Sequence, residues 1–136
     1  MTSQTWSIPA AADEVAGLRH AVARYAGANS VADPPLSDVK LAVSEAVTNS
    51  VVHGYPDGRP GMVTVVVTVD ADEALLTVVV TDDGAGLSPR ADSPGLGLGL
   101  PLITTVAQGT TISVAPDGHG TRVSMTFGLD GPGVLS

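Results

Sequence analysis

The amino-acid sequence predicts an α+β protein, a two-layer α/β sandwich whose helices cover one face of a mixed, mainly antiparallel sheet. Two early segments repeat apolar residues every three or four positions, as amphipathic helices do. Valine- and threonine-rich runs follow, with turn-forming residues between them, as in paired strands. The 136 residues suffice for one domain and not for two. A single domain is therefore expected over residues 1–136, with order over about residues 5–128.

The first third of the chain is predicted to contain a short strand and two helices. Alternation marks residues 5–8 as a strand, and apolar spacing marks residues 13–26 as a helix. Ser37 is the expected N-cap of a second helix, which follows an Asp-Pro-Pro break and runs to about His53. One face of this second helix carries Val39, Val43, Ala46, Val47 and Ser50.

The remaining strands are predicted from runs of β-branched residues. Residues 62–69 and 74–81 should form an antiparallel hairpin closed by an acidic turn. Five glycines and two prolines make residues 83–99 too rich in helix and strand breakers for regular structure. A short helix is expected over residues 100–107, and strands over residues 110–114 and 121–127. In the last strand Thr121, Val123 and Met125 are expected to face outward, alternating with Arg122, Ser124 and Thr126.

Composition and charge exclude several classes of protein. A chain that is 43% hydrophobic and 15% charged is too apolar to be disordered. The net charge of −8 argues against direct binding to nucleic-acid phosphates or to an anionic membrane surface. The absence of cysteine excludes disulfides, zinc thiolate sites and cysteine nucleophiles. Neither a secretory signal nor a membrane-spanning run is recognisable, so a soluble, cytoplasmic protein is expected.

The second helix carries the first of three clusters that indicate chemistry. Glu45, Asn49 and His53 are four residues apart and project from one helical face. An amide oxygen and phosphate oxygens are hard ligands that suit Mg²⁺, and a nearby glutamate can accept a hydroxyl proton. A solvated polar face, with a histidine favouring the helix C-terminus, would show the same pattern.

The second cluster follows the hairpin directly. Asp82 ends a strand, and Gly84 and Gly86 come at alternate positions after it. Such an aspartate can aim its carboxylate at an exocyclic amine such as that of adenine, while the glycines let the chain close over a flat ligand. The alternative is a simple strand-ending turn, for which Asp-Gly is common chemistry.

The third cluster is a glycine-rich run before the predicted short helix. Gly95, Gly97 and Gly99 alternate with Leu96 and Leu98, which exposes backbone N–H groups ahead of a helix N-terminus. Both features favour a polyphosphate. The spacing fits neither a dinucleotide-binding fingerprint nor a Walker P-loop. A flexible glycine loop without a ligand is the alternative.

Taken in order, the three clusters resemble one known nucleotide pocket. The chain resembles the small anti-sigma-factor serine-protein kinases of the gyrase/histidine-kinase-type (Bergerat) ATPase superfamily. Residues 45–55 are similar to the N box, Glu-Ala-x-x-Asn-x-x-x-His-Ala-Tyr, with Gly54 in place of its second Ala. Residues 82–86 are similar to the Asp-x-Gly-x-Gly box, and residues 97–103 to the second glycine box. Gly120 and Thr121 match a terminal Gly-Thr element, so the resemblance spans roughly residues 6–127.

The resemblance implies ATP-dependent phosphoryl transfer to a serine of a protein substrate. Glu45 would be the general base, Asn49 would hold Mg²⁺ against the ATP phosphates, and Asp82 would bind the adenine amine. Further nucleotide-binding residues are then His53, Gly84, Gly86, Gly95, Leu96, Gly97, Leu98, Gly99 and Thr121. His53 can instead cap its helix.

The resemblance also implies partners. These are a sigma factor, an anti-sigma-factor antagonist phosphorylated on serine, and a second copy of the chain. The position of Trp6 on the first strand suggests, independently, that an exposed strand edge there would be a natural dimer surface. An ATP-binding module that sequesters partners without phosphorylating them is the main alternative, because Arg90 is the only basic residue in the glycine-rich segment. A detached histidine-kinase domain is disfavoured, since no helix with a phosphoacceptor histidine precedes Glu45. A structural domain without a ligand would require three coincidental clusters.

Overall fold

The computed structural model describes residues 1–54, 61–84, 103, 106–114 and 120–129. Their elements are β1 (Thr2–Pro9), a 3-10 turn (Ala12–Glu14), α1 (Val15–Ala28), α2 (Pro35–Gly54), β2 (Met62–Asp70), β3 (Leu75–Asp82), β4 (Gly109–Val114) and β5 (Thr121–Gly128). The two helices, the hairpin and the later strands are those that the sequence predicts. The first strand begins three residues earlier than predicted, at Thr2.

The five strands form one sheet in the order β1-β2-β3-β5-β4. All four described strand pairs are antiparallel, so the sheet is not mixed in this part of the chain. β5 lies between β3 and β4, with Thr81 of β3 opposite Arg122 of β5. This register brings the end of β3 beside the start of β5, and both elements supply residues that the sequence marks as candidates.

Valines from alternate positions of the sheet pack against the two helices to form the core. Val22 of α1 and Val43 of α2 are fully buried, together with Val65 of β2 and Val78 of β3. The predicted inner face of α2 is confirmed: its five residues are at most 3% exposed. The chain is therefore the predicted two-layer sandwich, with both described helices burying their apolar residues against one face of the sheet.

α2 begins earlier than its sequence suggests, because a different residue caps it. The helix starts at Pro35, where a missing N–H costs nothing, so Ser37 already lies inside it. Asp33 accepts hydrogen bonds from the backbone N–H of Ser37, at 2.9 Å, and from the Ser37 hydroxyl. These hydrogen bonds hold the pKa of Asp33 below its ordinary value. The prediction of Ser37 as N-cap is wrong: Ser37 lies in the first turn, and the side chain of Asp33, two residues before the helix, caps its N–H.

The orientation predicted for β5 is also wrong. Thr121, Val123 and Met125 do not face outward, since they are 3%, 3% and 0% exposed. Val123 lies opposite Val80 and Met125 opposite Val78, so this side of β5 continues the valine face of β3 into the core. Arg122, Ser124 and Thr126 occupy the other face.

The region between β3 and β4 lies mostly outside the described residues. Within the helix predicted over residues 100–107, Ile103 and Val106 are helical and Ile103 is fully buried. The backbone N–H of Ala107 donates to the carbonyl of Ile103 at 2.8 Å, as expected for a helical turn. Across the part of the chain that the structure describes, no helix is both long and apolar enough to cross a membrane.

Candidate functional site

Asp82, the last residue of β3, is the centre of the candidate site. It is 3% exposed, although ionised carboxylates are seldom buried without partners. Its Oδ1 accepts a hydrogen bond from the backbone N–H of Gly84 at 3.1 Å. The Ser50 hydroxyl and the backbone N–H of Thr121 also donate to this carboxylate. The donors come from α2, from the turn after β3 and from the start of β5, so three distant parts of the chain meet at one side chain.

Burial and hydrogen bonding act in opposite directions on Asp82. Desolvation raises the pKa of this carboxyl above its ordinary value, and the neighbouring Asp83 carboxylate adds to the increase. The hydrogen bonds from Gly84, Ser50 and Thr121 favour the charged form and partly offset that rise. The net shift is upward, so the fold bears a cost for keeping an ionised acceptor at this position.

The polar residues of this site stand apart from the rest of the core. Among the described residues, the polar side chains classed as buried belong to Ser50, Asp82 and Thr121, and they form this one cluster. A carboxylate has about four lone-pair directions, and three donors occupy part of that capacity. The donors that the described residues supply thus leave capacity for one more, and the amine of a ligand such as adenine fits this chemistry.

Gly120 must be glycine because its backbone passes directly against Asp82. Its φ is +80°, and a Cβ added there would lie 1.9 Å from the carbonyl oxygen of Asp82 and 3.1 Å from Oδ1. No side chain can be accommodated without moving the end of β3. The terminal Gly-Thr element of the sequence thus has a geometric role: it lets β5 begin close enough for Thr121 to donate to Asp82.

Gly120→Ala is expected to destabilise the protein by about 2–4 kcal/mol, because it combines a left-handed backbone with a steric clash. Chemical denaturation measures the change. Gly17→Ala is the matched control, since nothing lies within 4 Å of that position in α1 and the substitution should stabilise by about 0.5–1 kcal/mol. Equal effects of the two substitutions would contradict the close approach.

The structure describes only some of the other predicted site residues. Glu45 and Asn49 lie half-buried on α2, four residues apart, and Asn49 directly precedes the Ser50 that contacts Asp82. The helix that carries the candidate base and metal ligand is therefore attached to the carboxylate at the end of β3. The side chain of His53, and all of Gly86, Gly95, Leu96, Gly97, Leu98 and Gly99, lie outside the described residues.

Ser50 is the contributor that the sequence does not identify. It is assigned above to the apolar face of α2, and that placement is right, because it is 3% exposed. The available signal is a hydroxyl on an otherwise aliphatic buried face, since a buried polar group requires a partner. Its partner is the carboxylate of Asp82.

A magnesium site in this chain would depend on few protein ligands. Among the described residues, no three His, Asp or Glu side chains cluster as a metal centre. The amide oxygen of Asn49 is the hard donor available at the predicted position, and Mg²⁺ commonly combines one or two protein ligands with substrate phosphates and water. Asn49 is thus compatible with a metal that arrives with a nucleotide.

Comparison with known proteins defines the class. Residues 8–127 match the family model of the histidine kinase-like ATPase domain, and the chain belongs to that family. This result confirms the predicted fold class and resemblance. In solved structures, the RsbU and RsbW domains of a Mycobacterium tuberculosis protein superpose with a TM-score of 0.72 at 17% identity, over 95% of this chain and 32% of that one. A histidine kinase domain from Erythrobacter litoralis superposes at 0.56 and 24% identity, over 90% and 62%. These likenesses are of fold.

More similar sequences are found among anti-sigma factors. The chain is 36% identical to the anti-sigma F factor of Clostridium botulinum, in an alignment that covers 77% of this chain and 82% of that protein. It is 34% identical to the anti-sigma F factor of Clostridium beijerinckii, over 76% and 81% of the two chains. The anti-sigma F factor of Pasteuria penetrans is also 34% identical, over 77% and 79%.

Proposed function

We propose that this protein is an ATP-dependent anti-sigma-factor serine/threonine protein kinase. In this proposal it binds a sigma factor and phosphorylates a serine of an anti-sigma-factor antagonist. The observation that carries the proposal is the buried Asp82 carboxylate, held by three donors where α2, β3 and β5 meet. Its place in a histidine kinase-like ATPase domain, with anti-sigma F factors among the relatives, supports the choice of nucleotide and partners.

Asp82 is the proposed determinant of adenine binding. The carboxylate accepts a hydrogen bond from the exocyclic amine, and Ser50, Gly84 and Thr121 orient it by donating to its oxygens. Guanine carries a carbonyl oxygen where adenine carries the amine, so two acceptors would face each other. Gly86 and Thr121 complete the proposed base-binding residues.

Phosphate binding and proton transfer are assigned to α2 and the glycine-rich segment. Asn49 is the proposed ligand of Mg²⁺, which supplies neutralisation of phosphate charge when it is bound. Glu45 is the proposed general base that removes the proton of the attacking serine hydroxyl. His53, Gly95, Leu96, Gly97, Leu98 and Gly99 are proposed to contact the phosphates. Glu45 and Asn49 lie half-buried on α2, the helix whose Ser50 donates a hydrogen bond to Asp82.

The proposed partners follow from the relatives. A protein that regulates a sigma factor acts where transcription takes place, so a cytoplasmic location belongs to the proposal. A homodimer is proposed as the active form. The alternative, sequestration of partners without phosphorylation, is favoured by one observation: Arg90 is the only Lys or Arg between residues 60 and 121. Positive side chains that stabilise transferring phosphate are correspondingly few.

A thermal-shift measurement with Mg²⁺-ATP, Mg²⁺-ADP and Mg²⁺-GTP tests the nucleotide site. Adenine nucleotides at 100 times their Kd should stabilise the folded chain by about 2.7 kcal/mol, which raises Tm by roughly 10 °C. Mg²⁺-GTP at equal concentration should give a much smaller shift. The absence of any shift with ATP and ADP on folded protein would overturn the site.

Incubation with labelled ATP and antagonist proteins encoded in the same genome then separates the two functions. Label on a serine of an antagonist is the expected result for a kinase. Binding of nucleotide and antagonist without phosphoserine would instead support the sequestering module.

A further inference from the structure

The outer side of α2 carries a row of four residues, which we call the α2 stripe: Leu41, Glu45, Thr48 and Val52. Intervals of four, three and four residues place these side chains on one side of a helix. Leu41, Thr48 and Val52 are exposed and Glu45 is half-buried, whereas Val43 on the opposite side of α2 is fully buried in the core. The α2 stripe is therefore the side of this helix that faces solvent.

Two residues of the α2 stripe are apolar although they are exposed. Leu41 is 37% exposed and Val52 is 55% exposed. Among the described residues, the other large apolar side chains that are exposed lie at the N-terminus or on strands, and they are Met1, Met62 and Ile112. A single exposed apolar residue requires no explanation, but two on the same side of one helix indicate a contact surface.

The α2 stripe carries little charge around its glutamate. From Leu41 to Val52 the sequence contains one charged residue, which is Glu45. A typical soluble surface is about 25–35% charged, and the centres of protein interfaces are depleted of charge. A partner that covers this part of α2 would therefore bury no charge of the helix other than that of Glu45.

The proposed role of Glu45 indicates which partner covers this side of α2, and in this respect the inference rests on the proposed function. A general base must lie within about 2.6–3.2 Å of the oxygen whose proton it takes. The acceptor serine must therefore reach Glu45, and its neighbours in its own chain are brought over the adjacent helical turns. Leu41 comes about 6 Å before Glu45 along the helix axis, and Val52 about 10 Å after it. An extended segment advances about 3.3 Å per residue, so residues two or three positions from the serine reach these two side chains.

We propose that the α2 stripe is the docking surface for the segment of the antagonist that carries the acceptor serine. Apolar residues two or three positions from that serine pack on Leu41 and Val52. The apolar area that they bury holds the serine hydroxyl in place at Glu45. Leu41 and Val52 are thus substrate-binding residues that act outside the nucleotide site, since neither is among the described partners of Asp82.

Steady-state transfer of labelled phosphate to an antagonist protein encoded in the same genome tests this surface. Leu41→Asp and Val52→Asp should each raise the KM for the antagonist at least about 10-fold. The kcat at saturating antagonist should not change, because these side chains contribute binding that the ground state and the transition state share. Ile112→Asp is the matched control: Ile112 is also apolar and exposed, at 41%, but it lies on the edge strand β4, and its substitution should leave the KM unchanged.

Binding of Mg²⁺-ADP separates a local effect from a loss of folding. Its affinity in Leu41→Asp and Val52→Asp should stay within about twofold of the wild type, since a ligand of the folded state binds only where the fold persists. If both variants keep the wild-type KM, the docking surface is overturned while the observed transfer still supports the proposed function. A wild type that transfers no phosphate overturns both.

A second measurement adds no charge. The chain has no cysteine, so Val52→Cys and Ile112→Cys each introduce a single thiol. Saturating antagonist should slow the reaction of the thiol at position 52 with a disulfide reagent at least about 10-fold, and it should leave the thiol at position 112 unaffected. If a sigma factor slows the reaction and the antagonist does not, or if a higher concentration of this chain alone slows it, a different partner covers the α2 stripe and the proposal is wrong.

Discussion

Glu45→Ala should lower phosphotransfer to the antagonist at least about 100-fold while changing ATP affinity by no more than about threefold. The carboxylate is proposed to act only on the proton of the attacking hydroxyl, so its loss removes an interaction made in the transition state. Glu45 is half-buried on α2 and does not take part in the described hydrogen bonds of Asp82, so nucleotide binding and folding should persist. Single-turnover transfer of labelled phosphate, with calorimetry of ATP binding, measures both quantities.

Two comparison variants sharpen this result. Glu73→Ala removes an exposed glutamate in the turn between β2 and β3, at the opposite end of β3 from Asp82, and should leave transfer unchanged. Asn49→Ala should instead weaken Mg²⁺-ATP binding, because it removes the proposed metal ligand. Transfer by Glu45→Ala at the wild-type rate would remove the assignment of this residue as the base.

Asp82→Asn should weaken binding of adenine nucleotides at least about 100-fold. The amide nitrogen of asparagine is a donor, and it would face donors from Ser50, Gly84 and Thr121 as well as the adenine amine. Sites that lose a required hydrogen-bond match discriminate strongly, because buried polar groups are left unpaired. Calorimetry with Mg²⁺-ADP measures the loss. Wild-type affinity in this variant would show that Asp82 does not bind the base.

The same variant gives a pH dependence of known sign. Burial raises the pKa of Asp82 in the folded chain above the ordinary 3.8. A raised pKa means that the folded state holds the proton more tightly than the unfolded state. The stability of the wild type relative to Asp82→Asn is therefore greatest below pH 3.8 and declines as the pH rises through the folded pKa.

Chemical denaturation of the wild type and of Asp82→Asn across that pH range measures the difference in their free energies of unfolding. The contributions of the other carboxylates are common to both proteins and cancel in this difference. Asp72→Asn, in the exposed turn between β2 and β3, is the matched control for the loss of one carboxylate. If the stability of the wild type relative to Asp82→Asn increased with pH, the raised pKa of Asp82 would be contradicted.

The sequence predicts best those elements whose pattern is long and regular. The hairpin of β2 and β3 holds eight consecutive pairs, and two runs of β-branched residues with an acidic turn between them mark it in the sequence. The inner face of α2 follows for the same reason, since five small or aliphatic residues recur at helical spacing. In both elements the burial of apolar side chains outweighs every competing interaction and decides the outcome.

The predictions are wrong or incomplete where the structure depends on a competition between local interactions or on contacts with distant parts of the chain. Asp33 and Ser37 are both good caps, and the Pro35 between them lets the helix start early, which selects Asp33. Which side chains of β5 point into the core depends on how β5 pairs with β3, and this pairing cannot be read from the β5 sequence alone. In the sequence Ser50 resembles a small core residue of α2. Its hydrogen-bond partner Asp82 is 32 positions away in the chain, so only the fold identifies Ser50 as a site residue.

Asp82 is held from both layers, by Ser50 of the helical layer and by Thr121 of the sheet. A displacement of α2 along the sheet must alter the Ser50 hydrogen bond, and with it the attraction of the carboxylate for an incoming amine. Linked equilibria are reciprocal, so a protein that moves α2 and a small molecule that occupies Asp82 change each other's affinity by the same factor. The Asp82 carboxylate therefore couples the position of the helical layer on the sheet to the binding of a ligand at Asp82.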